Sequence, residues 1–268
     1  MSDEGGTWHY GLVARWWAEF NVAAPQELAY YRGAIGRFGG PALDLACGTG
    51  RLLLPLIAGG LDVDGVDISA DMLALCAERA KRDGLSPQLD RQAMHELDLP
   101  RRYRTVYICD SFGLGGSRPN DLEALRRVRG HLEPGGGLVF SHWQPYEGED
   151  EASWARWLPS GRAGVPRAWP DSGDRRRAAD GDEIELINRL GDLDPLLQRQ
   201  TLEMRARLWR GSELVAQEEH VLLESLYLVP EVLLMLDAAG FTRVEVEAGY
   251  TSRPATRDDG MVVFVAQQ

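Results

Sequence analysis

The sequence predicts an α/β fold in which a doubly wound, mostly parallel sheet carries an inserted antiparallel β meander. Short apolar runs alternate with helix-period segments from residue 41 to about residue 143. Three long strand-like runs then interrupt this alternation, which resumes near residue 230. Because strands that alternate with helices usually pair in parallel through right-handed crossovers, the two outer parts are expected to form one sheet.

The elements of the parallel part follow from the period of the apolar residues. Strands are predicted at 42–46, 63–66, 88–92, 105–109 and 138–141, and helices at 51–58, 69–84 and 119–132. Ser69 suits the N-cap of the second helix. Pro55 is expected to loosen or kink the first helix, since proline lacks the N–H group that a helix interior uses.

Residues 144–229 are predicted to form the inserted sheet, with strand-like runs at 183–190, 196–209 and 213–228. The basic triplet Arg175-Arg176-Arg177 has acidic residues on both sides and is interpreted as a solvated loop. A helix at 231–239 and strands at 242–248 and 261–266 complete a sheet of seven strands. The chain is therefore divided into an N-terminal helical segment (1–36), an α/β core (37–143 and 230–268) and the insertion (144–229).

Composition and charge narrow the range of partners. The 268 residues carry a formal net charge of −12, so nucleic acid is not expected as a partner. The N-terminus lacks an apolar signal segment, and the apolar runs are shorter than the ~20 residues that span a bilayer. Cys47, Cys76 and Cys109 are odd in number and far apart, which argues against a disulfide framework and a zinc site. A reducing, cytoplasmic location and no membrane partner are expected.

The segment Asp44-Leu45-Ala46-Cys47-Gly48-Thr49-Gly50 carries the strongest functional signal. An acidic residue near the end of a strand precedes a tight turn whose two glycines let the backbone pass close to a ligand. A dinucleotide-binding turn is disfavoured, because Leu53 stands at its third glycine position and Asp44 would repel a pyrophosphate. Asp67 lies 19 residues after Gly48, about where nucleotide-binding sheets hydrogen-bond ribose hydroxyls.

These segments resemble the class I S-adenosylmethionine-dependent methyltransferases. The resemblance rests on Leu43–Gly50, Val66–Leu73 and Leu132–Phe140, and extends over about half of the chain. The inserted sheet is similar in pattern to that of glycine and amino-sugar N-methyltransferases. The resemblance implies a seven-stranded Rossmann-like methyltransferase fold and S-adenosyl-L-methionine as the cofactor. It also implies methyl transfer to nitrogen or oxygen of a small-molecule acceptor. No cluster in the sequence has credible metal-ligand spacing, so no metal is expected.

Alternative functions remain open on the same residues. The fold can also support an enzyme that uses the cofactor as a scaffold for non-methylating chemistry such as cyclisation. A binding module without catalysis is a weaker alternative. A nucleic-acid methyltransferase is disfavoured, because Cys109–Gly113 lacks the Asn/Asp-Pro-Pro-aromatic run typical of those enzymes and the chain is acidic.

The resemblance implies a set of cofactor contacts: Tyr10, Trp17, Asp44, Ala46, Gly48, Gly50, Asp67, Ile68, Met72, Ala93, Met94, Asp110 and Ser111. Gly48 and Gly50 would approach the methionine part, with Asp44 and the Ala46 carbonyl near its ammonium group. Asp67 would bind both ribose hydroxyls.

The adenine would lie between Ile68 and Met72 on one side and Met94 on the other. Ala93 offers only backbone to the adenine, where the family often has an acidic side chain. Further along the cofactor, Asp110 and Ser111 would border the methyl group and the acceptor.

Aromatic residues of the N-terminal segment and of the insertion are candidates for covering the site. Tyr10 and Trp17 would contact the cofactor from an N-terminal lid. The insertion is expected to cap the acceptor pocket, although a surface for a homodimer is the alternative. Its aromatic residues could line that pocket or form the insertion's own core: Trp154, Trp157, Trp169, Trp209 and Tyr227.

His142 is the candidate general base, since it follows the fifth strand at the expected ligand-binding edge. His95 and His220 are weaker candidates for the same role. Each of these histidines could equally be a structural residue.

Overall fold

The structure is a computed structural model that describes residues 7–115, 117–145 and 155–268. Trp154, one of the aromatic residues assigned to the pocket, lies outside the described residues. The chain divides into two compact units. The smaller unit comprises Met1–Asn21, Gly113–Gly116 and Tyr146–Leu226, and the larger comprises Val22–Phe112, Ser117–Pro145 and Tyr227–Gln268.

The described helices and strands agree closely with the predicted alternation. In chain order they are α1 (Gly11–Phe20), α2 (Pro25–Phe38), β1 (Ala42–Leu45), α3 (Leu53–Ala58), β2 (Val63–Asp67), α4 (Ala70–Arg82), β3 (Leu89–Arg91), β4 (Tyr103–Ile108), α5 (Arg118–His131), β5 (Leu132–Trp143), α6 (Pro159–Arg162), β6 (Asp174–Arg177), β7 (Glu183–Asp194), β8 (Arg199–Arg210), β9 (Glu213–Ser225), α7 (Val229–Ala239), β10 (Arg243–Ala248) and β11 (Met261–Gln267). A short 3-10 turn covers Met94–Glu96.

The larger unit is built on a seven-stranded sheet with the order β3-β2-β1-β4-β5-β11-β10. All neighbours are parallel except β11, which runs antiparallel to both β5 and β10. The predicted fold, a doubly wound and mostly parallel sheet with a separate antiparallel sheet, is confirmed. The chain order reverses between β1 and β4, so ligands are expected beyond the carboxyl ends of these strands.

Helix α2 was not predicted as an element of its own. It belongs to the larger unit, where Tyr31, Ile35 and Phe38 are buried in one cluster with sheet residues such as Tyr107 and Val139. Residues 22–36 of the predicted N-terminal segment therefore lie in the compact unit that contains the parallel sheet.

Two local predictions around the first strands had different outcomes. The N-cap is confirmed, because the Ser69 hydroxyl accepts a hydrogen bond from the Met72 backbone N–H at 3.2 Å. The helix predicted at 51–58 begins only at Leu53, and the expected loosening or kink at Pro55 stays a prediction. Pro55 is the third residue of α3, and the first-turn N–H groups of a helix have no intrahelical partner that a proline could remove.

The smaller unit contains a four-stranded antiparallel sheet with the order β6-β7-β8-β9. Helix α1 packs on one face of this sheet, with Trp8, Leu12 and Val13 against Met204 and Leu222. The Glu218 carboxylate also accepts a hydrogen bond from the Leu12 N–H at 2.8 Å.

Arg175–Arg177 are exposed, as expected for a solvated segment, but they lie in the edge strand β6 and not in a loop. The strand pairs with β7, and Glu183 forms ion pairs with both Arg175 and Arg177. The Arg175 guanidinium also lies 4.4 Å from the ring centre of Trp209. Acidic and aromatic neighbours thus stabilise this run of arginines as a strand.

Within the described residues, every helix is too short or too polar to cross a membrane.

Candidate functional site

The turn after β1 has an unusual backbone. Ala46, Gly48 and Gly50 all have positive φ angles, of 68°, 54° and 79°. Positive φ is uncommon for a residue other than glycine, and such strain often accompanies functional sites. A Cβ atom at Gly48 would meet nothing within 4 Å, whereas one at Gly50 would approach Cys76 Sγ to 2.6 Å. Gly48 therefore leaves open space before the turn, while Gly50 is required by the packing behind it.

Asp67, at the end of β2, is held by backbone N–H groups. Its Oδ2 accepts a hydrogen bond from Gly48 N and its Oδ1 accepts one from Ser69 N, both at 2.8 Å. Burial raises the pKa of Asp67, and the two N–H donors act against this rise. A carboxylate has about four lone-pair positions, so this one can still accept from neighbouring hydroxyl groups.

Asp44 is a second buried carboxyl group at this edge of the sheet. It is 2% exposed, and burial raises its pKa to about 7, with the Tyr107 hydroxyl and Arg51 acting in the opposite direction. A buried carboxyl with such a pKa gains a negative charge easily when a cation lies beside it.

The predicted adenine contacts lie around the ends of β2 and β3. Met72 and Ala93 are buried, and Ile68 and Met94 are half-buried. The Gln92 N–H donates to the Asp67 carbonyl at 3.2 Å, which fixes the end of β3 beside that of β2. These apolar side chains suit the faces of a planar base.

The fit of these groups discriminates between ligands. Two buried carboxyl groups, at the ends of β1 and β2, border a turn that has open space in front of Gly48. Asp44 and Asp67 suit a ligand with a cationic end and a ribose, and they disfavour a pyrophosphate. The residues present therefore fit S-adenosylmethionine.

A dense polar cluster lies at the end of β4, and sequence reasoning missed most of its members. Glu27 on α2 pairs with Arg51 and accepts a hydrogen bond from the Cys109 thiol at 2.9 Å. Arg51 Nη2 donates to Cys109 Sγ at 3.1 Å and lies 3.9 Å from Asp110 Oδ2. The Tyr250 hydroxyl reaches Glu27 Oε1 and Asp110 Oδ2, each at 3.3 Å.

Three members of this cluster could together hold a metal ion, which the sequence did not suggest. Ligand atoms of Glu27, Cys109 and Asp110 lie within 4.8 Å of one another, the one such group among the residues described. The Arg51 guanidinium already bonds to Glu27 and Cys109 and lies 3.9 Å from Asp110, so a metal ion bound there would be repelled by this cation. Burial also raises the pKa of the Cys109 thiol, which disfavours the thiolate that metals bind.

His142 lies on β5 and is buried. Its Nε2 is 2.8 Å from the Tyr227 carbonyl oxygen. A carbonyl can only accept, so Nε2 carries a proton in this contact and Nδ1 keeps its lone pair. Burial lowers the pKa of His142, which favours the neutral imidazole that a base requires.

The other histidines considered have different surroundings. His95 is half-buried, with Nε2 3.4 Å from Asn120 Nδ2. His220 lies on β9 of the smaller unit, 3.1 Å from Glu218. Neither stands at the end of a strand of the parallel sheet.

The remaining predicted site residues lie in both units. In the larger unit, Ser111 directly follows Asp110 and donates its hydroxyl to the Cys109 carbonyl at 2.9 Å. In the smaller unit, Tyr10 precedes α1, and Trp17 packs with the cluster between α1 and the antiparallel sheet.

The aromatic residues assigned to the insertion also have defined surroundings. Tyr227 belongs to the core of the larger unit, where it is fully buried and donates to Asp121, so the assignment of Tyr227 to a pocket wall was wrong. Trp209 remains half-buried on β8 and donates its Nε1–H to Glu185 at 3.2 Å.

Comparison with known proteins agrees with this geometry. Residues 42–136 match the methyltransferase domain family. The dTDP-3-amino-3,6-dideoxy-α-D-glucopyranose N,N-dimethyltransferase of Streptomyces fradiae is 37% identical over 103 residues, which are 38% of each chain.

Two solved structures have the same fold over almost the whole chain. One is an S-adenosylmethionine-dependent methyltransferase from Clostridium acetobutylicum ATCC 824, with a TM-score of 0.70, 16% identity and 92% of both chains covered. The other is CalS10, an amino pentose methyltransferase from Micromonospora echinaspora with bound S-adenosylmethionine. Its TM-score is 0.66 at 20% identity, over 97% of this chain and 98% of that one. Together with the domain match, they show that residues 42–136 match a methyltransferase domain and that the chain has the fold of S-adenosylmethionine-dependent methyltransferases.

Proposed function

We propose that this enzyme methylates an amino nitrogen of a small-molecule acceptor, with amino sugars as the first class to test. The observation that carries the proposal is the charge at the carboxyl edge of the sheet. Four acidic side chains (Glu27, Asp44, Asp67 and Asp110) lie in the candidate site. Arg51 is the cation paired with Glu27, while Arg79 and Arg91 donate to the Thr49 and Ile68 carbonyls at the border of the site. Such an edge favours an acceptor that enters as an amine rather than one with an anion near the reacting atom. The dimethyltransferase relative, named for an amino sugar, supports the same class.

We propose the following roles toward the cofactor. Asp67 accepts from both ribose hydroxyls, because its carboxylate is already oriented by Gly48 and Ser69. The open backbone at Gly48 and the Ala46 carbonyl take the methionine part, and Asp44 faces its ammonium group. Residues Ile68, Met72, Ala93 and Met94 surround the adenine. S-adenosylmethionine supplies a methyl group on a sulfonium, which is already a reactive electrophile.

The protein then has to present a neutral amine and exclude water. An ammonium group must lose a proton before its nitrogen can attack, and a positioned base assists that loss. We propose His142 Nδ1 for this role, since Nε2 already donates to the Tyr227 carbonyl and burial lowers the pKa of His142, which favours the neutral imidazole. Tyr10 and Trp17 remain proposed cofactor contacts from the N-terminal segment.

We propose that residues 144–229 help to select the acceptor. The segment follows β5, whose carboxyl end lies at the same edge of the sheet as those of β1 and β4. Trp209→Ala should then raise the KM for the acceptor and leave cofactor affinity unchanged. If the insertion instead forms a homodimer, the same variant should alter sedimentation and leave the rate per subunit unchanged.

The function is tested with S-adenosylmethionine that carries a deuterated methyl group. The acceptors are dTDP-3-amino-3,6-dideoxy-α-D-glucopyranose and the matched sugar nucleotide with a hydroxyl at that carbon. We expect the labelled methyl group on nitrogen, with one S-adenosylhomocysteine formed per methyl group. Label found only on oxygen would refute the amine class. A changed acceptor without label, with the cofactor intact, would favour the non-methylating alternative.

A further inference from the structure

Tyr250 is a strained residue that meets the polar cluster from the loop between β10 and β11. It has a φ angle of 45°, which is unusual for a residue other than glycine. Its hydroxyl oxygen lies 3.3 Å from Asp110 Oδ2, 3.3 Å from Glu27 Oε1 and 3.4 Å from Cys109 Sγ. Asp110 is strained in the same way, with a φ angle of 52°.

The Tyr250 hydroxyl has one proton and several possible acceptors. The acceptor with the fewest other hydrogen-bond donors gains most from this proton. Glu27 already has the Arg51 guanidinium and the Cys109 thiol as donors. Asp110 Oδ2 lies 3.7 Å from the Cys109 thiol and 3.9 Å from Arg51. The Tyr250 hydroxyl is therefore the closest donor to Asp110 Oδ2. Burial raises the pKa of Tyr250, so this hydroxyl keeps its proton at neutral pH.

The other oxygen of Asp110 is fixed from the sheet. Ser141 on β5 donates its hydroxyl to Asp110 Oδ1 at 2.7 Å, and Asp110 N donates back to the same Ser141 oxygen at 2.9 Å. Tyr31 places its hydroxyl 3.3 Å from Ser141 Oγ on the buried side. Both carboxylate oxygens of Asp110 therefore have an oriented donor.

Asp110 is also the acidic group of this edge that an entering molecule can reach. Its side chain is 35% exposed, compared with 6% for Glu27, while Asp44 and Asp67 are buried. It ends β4, which neighbours β1 on the side opposite to β2. If the ribose lies at β2 and the methionine part at β1, the group at the end of β4 borders the reacting end.

We propose that Asp110 accepts a hydrogen bond from the acceptor's amino group, with Tyr250 and Ser141 as positioning residues for its carboxylate. This inference rests on the proposed function. The nitrogen lone pair forms the new C–N bond while the carbon–sulfur bond breaks and its electrons remain on sulfur. The methylated nitrogen becomes a cation, and the Asp110 carboxylate stabilises the positive charge that develops there.

The test combines acceptor binding with a double-mutant cycle. The amino sugar nucleotide is titrated into enzyme saturated with S-adenosylhomocysteine, and kcat is measured separately. Asp110→Asn should lower kcat by about 100-fold or more, in the range of a lost group that stabilises charge in the transition state. Tyr250→Phe should lower it by about 3- to 10-fold, as for one hydrogen bond, without changing cofactor affinity. In the Asp110→Asn background, Tyr250→Phe should have no further effect.

Two control variants separate positioning from folding. Tyr30→Phe removes a hydroxyl that donates to Glu247 at 2.6 Å, next to the ring of Tyr250, and should leave kcat unchanged. Ser141→Ala removes the second donor to Asp110 and should show the same lack of additivity with Asp110→Asn.

The outcomes distinguish this inference from the function on which it rests. If the wild-type enzyme binds and methylates only the hydroxyl sugar, the amine class is refuted, and the same cycle run on that sugar still tests the positioning. Equal acceptor affinity and rate in wild type and Asp110→Asn would overturn the inference alone. A Tyr250→Phe effect that is unchanged in the Asp110→Asn background, or that appears as lost cofactor affinity, would also overturn it.

Discussion

Asp44→Asn should stabilise the ligand-free protein while it weakens cofactor binding. Burial raises the pKa of this carboxyl from 3.8 to about 7, so the folded state favours the protonated form more than the unfolded state does. Because this carboxyl has a higher pKa in the folded state, the protein loses stability as the pH rises above the pKa of the unfolded state. The loss is complete once the pH exceeds the pKa of the folded state. A pKa that is about 3 higher in the folded state lowers the free energy of unfolding by about 4 kcal/mol at pH values above both pKa values.

The assay is urea unfolding of wild type and variant at about pH 5 and about pH 8. Between pH 5 and pH 8, the unfolding free energy of Asp44→Asn should rise by about 3 kcal/mol relative to that of the wild type. The reason is that asparagine does not ionise, whereas Asp44 does. Asp90→Asn, at an exposed position on β3, is the control and should show little pH-dependent gain. Asp44→Asn should also weaken S-adenosylmethionine binding by about 10- to 100-fold, as for a lost charged contact. A pH-independent stability difference would refute the reasoning about the buried carboxyl.

The remaining predictions concern the turn and the proposed base. Gly50→Ala should lower stability more than Gly48→Ala in thermal unfolding, because its Cβ would meet Cys76 Sγ at 2.6 Å while that of Gly48 meets open space. Gly48→Ala should instead reduce cofactor affinity while it changes thermal stability little. Equal cofactor affinities of Gly48→Ala and wild type in calorimetry would contradict the role of the open backbone. His142→Ala should lower kcat by about 100-fold with cofactor affinity unchanged, as for a positioned base. Full activity in that variant would exclude His142 as the base.

The sequence predicted the sheet well because its signals are local. The strand that ends at Asp44–Gly50, the N-cap at Ser69 and the alternation of strands and helices depend on neighbours within a few residues. The strand at Arg175–Arg177 escaped prediction, since it depends on pairing with β7 and on Glu183 as a shared ionic partner. Helix α2 escaped prediction as an element of its own, although residues 22–36 belonged to a segment expected to be helical.

The polar cluster at the end of β4 could not be predicted for a different reason. Glu27, Arg51, Asp110 and Tyr250 come from distant parts of the chain, and no spacing links them. Only the fold brings Glu27 on α2 and Tyr250 in the β10–β11 loop to the same strand end. A signal existed for Arg51, which directly follows Gly50 in the predicted turn, but its partner could not be inferred from the sequence.

The ends of β1 and β2 are the proposed binding site for S-adenosylmethionine. Calorimetric titration of S-adenosylhomocysteine into wild type and Asp67→Ala, in buffer with EDTA, tests it most directly. We predict binding by the wild type without metal and a loss of about 1.5–3 kcal/mol in the variant, as for hydrogen bonds to a charged group. No binding by the wild type, or equal affinity in Asp67→Ala, would contradict the account.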